Sequence, residues 1–228
     1  MVMQETDMRV AEAPTEDLTD FDTADACARW LEREGVQLIV DFAFEDLSKI
    51  ELGPWERKGG KGAVINIPYD VLTNDSQLIE INPGGRSEPE HHMYEEYVYV
   101  VAGRGATTLW PVGGEKRTFE WKKGSLFSIP LNCWYEHFNG SGSEPARICM
   151  MTTAPLMMNM NPNQDFIFNN PSTFPNIFEG EQDYFSSEGK HTGQTLWESN
   201  FIADCRHHET DMYQQRGAGG TNMHFSFG

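Results

Sequence analysis

Between residues 88 and 105 the chain reads EPEHHMYEEYVYVVAGRG. Two imidazoles and four carboxylates precede an apolar, aromatic and β-branched run that ends in glycines. Alternate residues of a strand share a face. On that rule Glu90, His92, Tyr94, Glu96, Val98 and Val100 point one way, and His91, Met93, Glu95, Tyr97 and Tyr99 the other. A second stretch, PLNCWYEHFN (130–139), sets Tyr135, His137 and Asn139 on one face of another strand. Where two such rows converge in a small barrel, imidazole and carboxylate groups can bind a divalent metal and leave positions open for substrate or dioxygen. The same side chains can instead form a hydrogen-bonded core or line a hydrated cavity. On this parity His91 belongs to the surface or an interface.

The segments that carry these residues are short. From residue 63 to 155 the chain offers β-rich runs (AVINIP, QLIEINP, EYVYVVAG, ATTLWPV, RTFEW, SLFSIP, YEHFN, ARICMMT) separated by Gly, Pro and Asn. Neither a helical period nor a βαβ rhythm interrupts them, which is the pattern of an all-β sandwich or barrel. Ahead of them, an acidic tail (1–20) reads as disordered, and Thr23 caps a short helix that Gly35 stops. The N-terminal helix and extension run over 21–62, with VQLIVDFAF (36–44) as a strand or buried extended segment. ELGPWERKGGKG (51–62) reads as a solvated loop, or else its Arg57, Lys58 and Lys61 greet an anionic substrate. Residues 156–228 form an irregular arm and terminal β segment. Its aromatics pack on the barrel or on a neighbouring subunit, and its methionines pack rather than ligate. TLWESNFI (195–202) reads as a strand within this arm.

The 228 residues suffice for one large domain with extensions. The formal net charge of −18 repels phosphates and anionic headgroups, so neither nucleic acid nor a membrane is an expected partner. Four cysteines, Cys27, Cys133, Cys149 and Cys205, show no paired spacing and read as reduced thiols, Cys133 as a small buried one near the second motif. The acidic N-terminus lacks the apolar core of a secretory signal, and no stretch approaches the about 18 apolar residues of a span. A cytoplasmic location is expected. His207 and His208 are neighbours whose side chains point apart, so they do not suggest a metal pair.

Two spacings carry a family resemblance. The first is Gly84, five residues, Glu90-His91-His92, three residues, Glu96, six residues, Gly103. The second is Gly124, five residues, Pro130, then Asn132, Tyr135, His137 and Asn139, with twenty residues between the two motifs. Together they resemble the paired motifs of the cupin superfamily over residues 77 to 155, where the first motif carries His-x-His and Glu and the second a His. A looser likeness through ELGPWERKGGKG, FEWKKGSLFSIPLNCW, DFIFNNP, LWESNF and RGAGGTN is similar to the first half of a bacterial two-cupin family. On that likeness the chain stops where a second cupin would begin.

The resemblance implies a cupin-type jelly-roll barrel with a small polar or carboxylated ligand, a divalent metal and dioxygenase-type oxidoreductase chemistry. His92 and Glu96 match the family's metal positions, whereas Glu90 and Tyr135 stand where it has histidines. His137, two residues further on, has the right parity. Glu90, His92, Glu96 and His137 form the expected ligand set, and two carboxylates favour iron or manganese over copper. Without a metal, Glu96 in an aromatic interior is expected to have a raised pKa and to serve as a general acid or base, with Tyr135 as proton donor or hydrogen-bonding filler. The loss of two standard ligand positions points to the alternative, a metal-free cupin that binds a ligand or supports another unit. A homodimer through sheet edges and arms is expected.

Overall fold

The computed structural model describes residues 26–68, 73–192 and 196–207. The acidic tail, the Thr23 cap, His208 and the final glycine-rich segment lie outside the described residues. Helix α1 (Ala26–Glu34) buries Cys27, Trp30 and Leu31 on one face. It ends at Gly35, whose φ of 62° lets its N–H return to Leu31 O at 3.1 Å. Strands β1 (Gln37–Val40), β2 (Gly53–Trp55), β3 (Gly60–Asn66), β4 (Asp75–Ile81) and β5 (Glu96–Ala102) follow. After them come β6 (Arg104–Trp110), β7 (Arg117–Lys122), β8 (Leu126–Ile129), β9 (Trp134–Asn139) and β10 (Ala146–Thr152). Among its described residues the arm holds two short helices, α2 (Ala154–Met160) and α3 (Gln164–Phe168). Three small strands follow, β11 (Lys190–Thr192), β12 (Leu196–Glu198) and β13 (Phe201–Ile202).

The larger sheet runs β1-β3-β4-β10-β5-β8-β13, with β2 beside β3, and the smaller runs β7-β6-β9. The two inner faces enclose an apolar core containing Val64, Ile79, Val98, Val100, Leu109, Trp121, Phe127, Tyr135, Ile148 and Met150. Each such aliphatic or aromatic side chain contributes roughly 1.5–3 kcal/mol when fully buried. A second cluster, Ile65, Leu78, Val101 and Cys149, lies on the outer face of the larger sheet. Ile39, Phe44, Leu47, Ile50 and Leu52 of the N-terminal extension cover it. This is an all-β cupin-type barrel with a short N-terminal helix.

The first motif does not lie on one continuous strand. Residues 86 to 90 run along β9, through bridges Arg86↔Phe138 and Glu90↔Tyr135. The chain then turns before entering β5 at Glu96 in the other sheet. Alternation holds from His92 onward, but His91 breaks it and is buried. Its Nδ1 lies 2.9 Å from Asn132 Oδ1, and its ring packs at 4.1 Å on Trp134. The expected surface position is corrected because the residue belongs to the turn, where strand parity does not apply.

Two glycines are fixed by space. Gly124, at φ 90°, turns the chain from β7 in the smaller sheet to β8 in the larger one. A Cβ on Gly105 would lie 2.0 Å from Phe138 O and 2.5 Å from the Trp121 ring, so β6 can approach β9 only as glycine. The arm folds back on the same chain. Phe168 stacks on Trp30 at 5.8 Å and meets Tyr94 edge-on at 6.3 Å, while Phe185 stacks on Phe119 at 4.1 Å. The α2 and α3 helices have no clear period in the sequence because packing on α1 and the barrel, rather than an amphipathic repeat, sustains them.

Candidate functional site

Inside the barrel, His92, Glu96 and Tyr135 meet. His92 comes from the turn, Glu96 opens β5, and Tyr135 projects from β9 across the gap between sheets. Nε2 of His92 lies 3.2 Å from Glu96 Oε2 and 3.3 Å from the Tyr135 hydroxyl, which donates to Glu96 Oε2 at 3.1 Å. All three are at most 2% exposed. Nδ1 of His92 sits 3.0 Å from Tyr94 O, a carbonyl that can only accept, so Nδ1 carries a proton. Nε2 and the carboxylate would then oppose two lone pairs unless a further proton lies between them. The geometry is that of a proton shared by imidazole and carboxyl, with the Tyr135 O–H as a third leg.

The electrostatics agree. Burial pushes the Glu96 carboxyl up, but the hydrogen bond and charge of His92, with the ammonium of Lys58, outweigh it and hold its pKa below the ordinary value. The raised pKa expected of Glu96 is therefore corrected: two cationic partners inside the barrel override desolvation. Burial, then the charges of Glu90 and Glu96, push the Tyr135 phenol well above its usual range, so it remains a donor.

His137 is fully buried, and its Nδ1 lies 2.7 Å from Thr107 Oγ1, which also accepts from Trp121 Nε1 at 2.9 Å. Burial lowers its pKa to about 4, against the opposing pull of Glu96 and Glu90. The ring is neutral at pH 7. Its Nε2, like Glu96 Oε1, is buried with no hydrogen-bond partner among the described residues.

Glu90 is engaged elsewhere. Its Oε1 is paired with the ammonium of Lys58, a residue only 3% exposed. The turn Glu56–Lys58 closes through Gly59 at φ 70° and aims Lys58 inward, with its ammonium 5.5 Å from the Trp55 ring. Arg57, its neighbour, bonds Glu34 at 2.6 Å and lies 4.6 Å over Phe168. Only Lys61 of this trio is largely exposed, so the solvated-loop reading fails for Lys58 and Arg57. The polar atoms of a tight turn point wherever tertiary partners draw them.

Two residues of this interior, Thr107 and Asp75, carry no mark in the sequence, and Lys58 stands out there only as one of three cations in a loop. Asp75 is buried at the start of β4, hydrogen-bonded by Thr152 and by Gln77 at 3.4 Å. Burial raises its pKa from the ordinary 3.8 to about 6, opposed by those hydrogen bonds and Lys58. Thr152 is the register partner of both Asp75 and Glu96, which places the two carboxyls on either side of β10. The only legible signal was an acid opening an apolar strand.

A divalent metal fits this interior poorly. Among the described residues no three His, Cys, Asp or Glu side chains come together to hold an ion. The Tyr135 hydroxyl fills the space between His92 and Glu96, and Glu90 is neutralised by Lys58. Two larger cavities lie elsewhere. One, of about 540 Å³, is lined by arm residues including Glu181, Asp183, Tyr184 and Asn200. The other, of about 510 Å³, is bordered by Arg104, Glu120, Trp121, Lys122, Phe138 and Phe201.

Residues 77–152 match the Cupin domain family, so the chain carries a cupin domain. No curated protein matches the sequence. Among solved structures, an oxalate decarboxylase from Lactobacillus farciminis, in a formate complex, is similar at 25% identity and a TM-score of 0.41. That match covers 48% of this chain and 32% of the decarboxylase, about a third of its length. The vicilin of Corylus avellana is similar at 17% identity and a TM-score of 0.38, over 46% of this chain and 30% of that one. The cupin domain of Schizosaccharomyces pombe Cnp3 is similar at 16% identity and a TM-score of 0.38, over 47% of this chain and 71% of that one.

Proposed function

We propose that this cupin domain is a metal-free module whose barrel interior holds the fold together and whose ligand binding takes place on the outside of the barrel. The Tyr135 hydroxyl carries this reading, lying within 3.3 Å of both His92 Nε2 and Glu96 Oε2. Three donors that would otherwise face an ion satisfy one another. A substrate reaching them would have to displace Tyr94, which stacks on His92 at 3.6 Å, and the Phe168 and Arg57 layer above it. The cavity lined by Arg104 and Lys122 supports binding of a small carboxylated molecule: two cations against one carboxylate, Glu120, border it together with the aromatic side chains of Trp121, Phe138 and Phe201. Assembly as a homodimer is supported by the outer edge of β1, where Leu38 and Val40 are about half exposed and Phe42 follows at 71%.

The test is elemental analysis of protein purified without added metal, followed by melting with and without a chelator. Well under one transition ion per chain and an unchanged Tm support the module; one ion per chain and a chelator-induced fall overturn it. A second reading, a metal-dependent oxidoreductase using iron or manganese, is favoured by one observation. Glu96 Oε1 and His137 Nε2 are buried lone-pair positions without partners. On that reading the bound ion is lost on Glu96→Gln or His137→Gln, and dioxygen uptake is lost with it.

A further inference from the structure

We infer that the cavity bordered by Arg104 and Lys122 takes an aromatic carboxylate, and that binding fastens the arm to the barrel. The inference rests on the reading that ligands bind outside the barrel and adds the ligand's class.

Charge sets the polar end. In the antiparallel ladder of β6 and β7, Arg104 is the register partner of Lys122. Side chains directly opposite in such a pair share a face, and like charges there repel. Both residues are exposed, and neither has an ion-pair partner among the described residues. The chain carries 35 acidic residues against 17 basic ones, so acids that could relieve the pair are plentiful. Glu120 borders the same cavity, but it stands opposite Ala106 and pairs with neither cation. Two cations held side by side at a cavity leave an anion as the missing partner. A carboxylate suits them, because a guanidinium grips it with two parallel N–H bonds while the ammonium adds a point charge.

Volume and lining set the body. The cavity holds about 510 Å³. Small-molecule sites span roughly 300–1,000 Å³, whereas a bare formate or acetate leaves most of such a space empty. Trp121 and Phe201 are buried beside it and Phe138 is half-buried. Gly105 and Gly140 also line it, and a Cβ on Gly140 would lie 3.4 Å from Gly105 Cα. Two strands thus meet there without side chains between them. A planar ring fits against bare backbone, and ring contacts with the neighbouring aromatics add to the area it buries.

The arm closes the cavity. Phe201, on β13, and Ala203 form one wall. β13 pairs with β8 through Phe201 and Ile202 alone. Beyond it, Ser125 Oγ donates to Ala203 O at 2.8 Å and Cys205 N–H donates to Gly124 O at 2.8 Å. So short an attachment opens locally at low cost, and a ligand that binds only the closed form raises that cost. A molecule seated here touches β6, β7, β9 and the arm at once.

The experiment titrates the wild type with sodium 1-naphthoate, benzoate, acetate and benzylamine by calorimetry, and repeats the series with Lys122→Glu. Naphthoate and benzoate should bind at least about tenfold more tightly than acetate, and benzylamine should give no heat of binding. Lys122→Glu sets an opposite charge across from Arg104. Its Tm should rise by about 1–3 °C while its affinity for naphthoate falls at least about tenfold, so lost binding is not lost folding. In the wild type, saturating naphthoate should slow hydrogen exchange of the Cys205 amide several-fold; in Lys122→Glu it should not. Acetate that binds as tightly as naphthoate overturns the aromatic class and leaves a small-carboxylate site standing. Failure of every carboxylate to bind overturns the ligand-binding reading beneath it as well. Benzylamine that binds like benzoate, or a Lys122→Glu protein with wild-type affinity, overturns the role of the two cations. Cys205 exchange that ignores bound naphthoate overturns the fastening of the arm.

Discussion

Tyr135 hands its phenolic hydrogen bond to Glu96 across 3.1 Å, from a strand of the smaller sheet to the first residue of a strand in the larger one. That bond ties the two halves of the barrel together at its polar centre. Tyr135→Phe removes it while keeping the ring, and leaves Glu96 and His92 with one fewer buried partner. The expected cost is about 1–3 kcal/mol, read from urea denaturation with an unchanged m-value. A neutral result would show that the hydroxyl is dispensable and the site open.

Thr107 serves two buried donors or acceptors at once, His137 Nδ1 and Trp121 Nε1. Thr107→Val is nearly isosteric but strands both. The expected loss is about 2 kcal/mol or more, larger than for a surface threonine, because an unsatisfied buried group bears its full desolvation penalty. Trp121 fluorescence reports the change directly.

Asp75 and His137 pull stability in opposite directions with pH. The Asp75 carboxyl, raised from 3.8 to about 6, contributes stability below 3.8 that is lost as pH rises through about 6. The His137 ring, lowered from 6.5 to about 4, contributes stability above 6.5 that is lost as pH falls toward 4. Between pH 4 and 6 the two effects offset each other. Asp75→Asn should therefore steepen the fall of Tm on acidification, and His137→Gln should flatten it. Parallel Tm-versus-pH curves for all three proteins would contradict these assignments.

Phe168 closes the barrel mouth over Tyr94 and under Arg57. Phe168→Ala should cost about 2 kcal/mol, less than the roughly 3–5 kcal/mol of a fully buried phenylalanine. It should also expose the Met93 amide, which donates to Ile167 O at 2.9 Å, to faster hydrogen exchange than amides of β5. Equal exchange rates in the variant and wild type would mean that the arm is not the closing element.

Short β-rich runs and two spaced motifs were enough to reach an all-β barrel, because half-buried strands write a period of two into the sequence. The same alternation brought His92, Glu96 and Tyr135 together as candidates, since inward rows of a small barrel must converge. Parity failed at His91 because that residue sits in a turn between sheets, where no period governs direction.

Which side chains pair with which was settled by long-range contacts alone. Lys58 stands thirty-two residues before Glu90 in a glycine-rich turn that reads as solvent-facing, yet it supplies the interior's ammonium. Asp75 is a single acid at a strand end, and Thr107 an ordinary β-branched residue, until β4 and β6 carry them inside. Local sequence fixes which backbone groups repeat and which faces are apolar. The charge state of Glu96 depends on side chains delivered from distant segments, and that long-range geometry leaves no periodic trace along the chain.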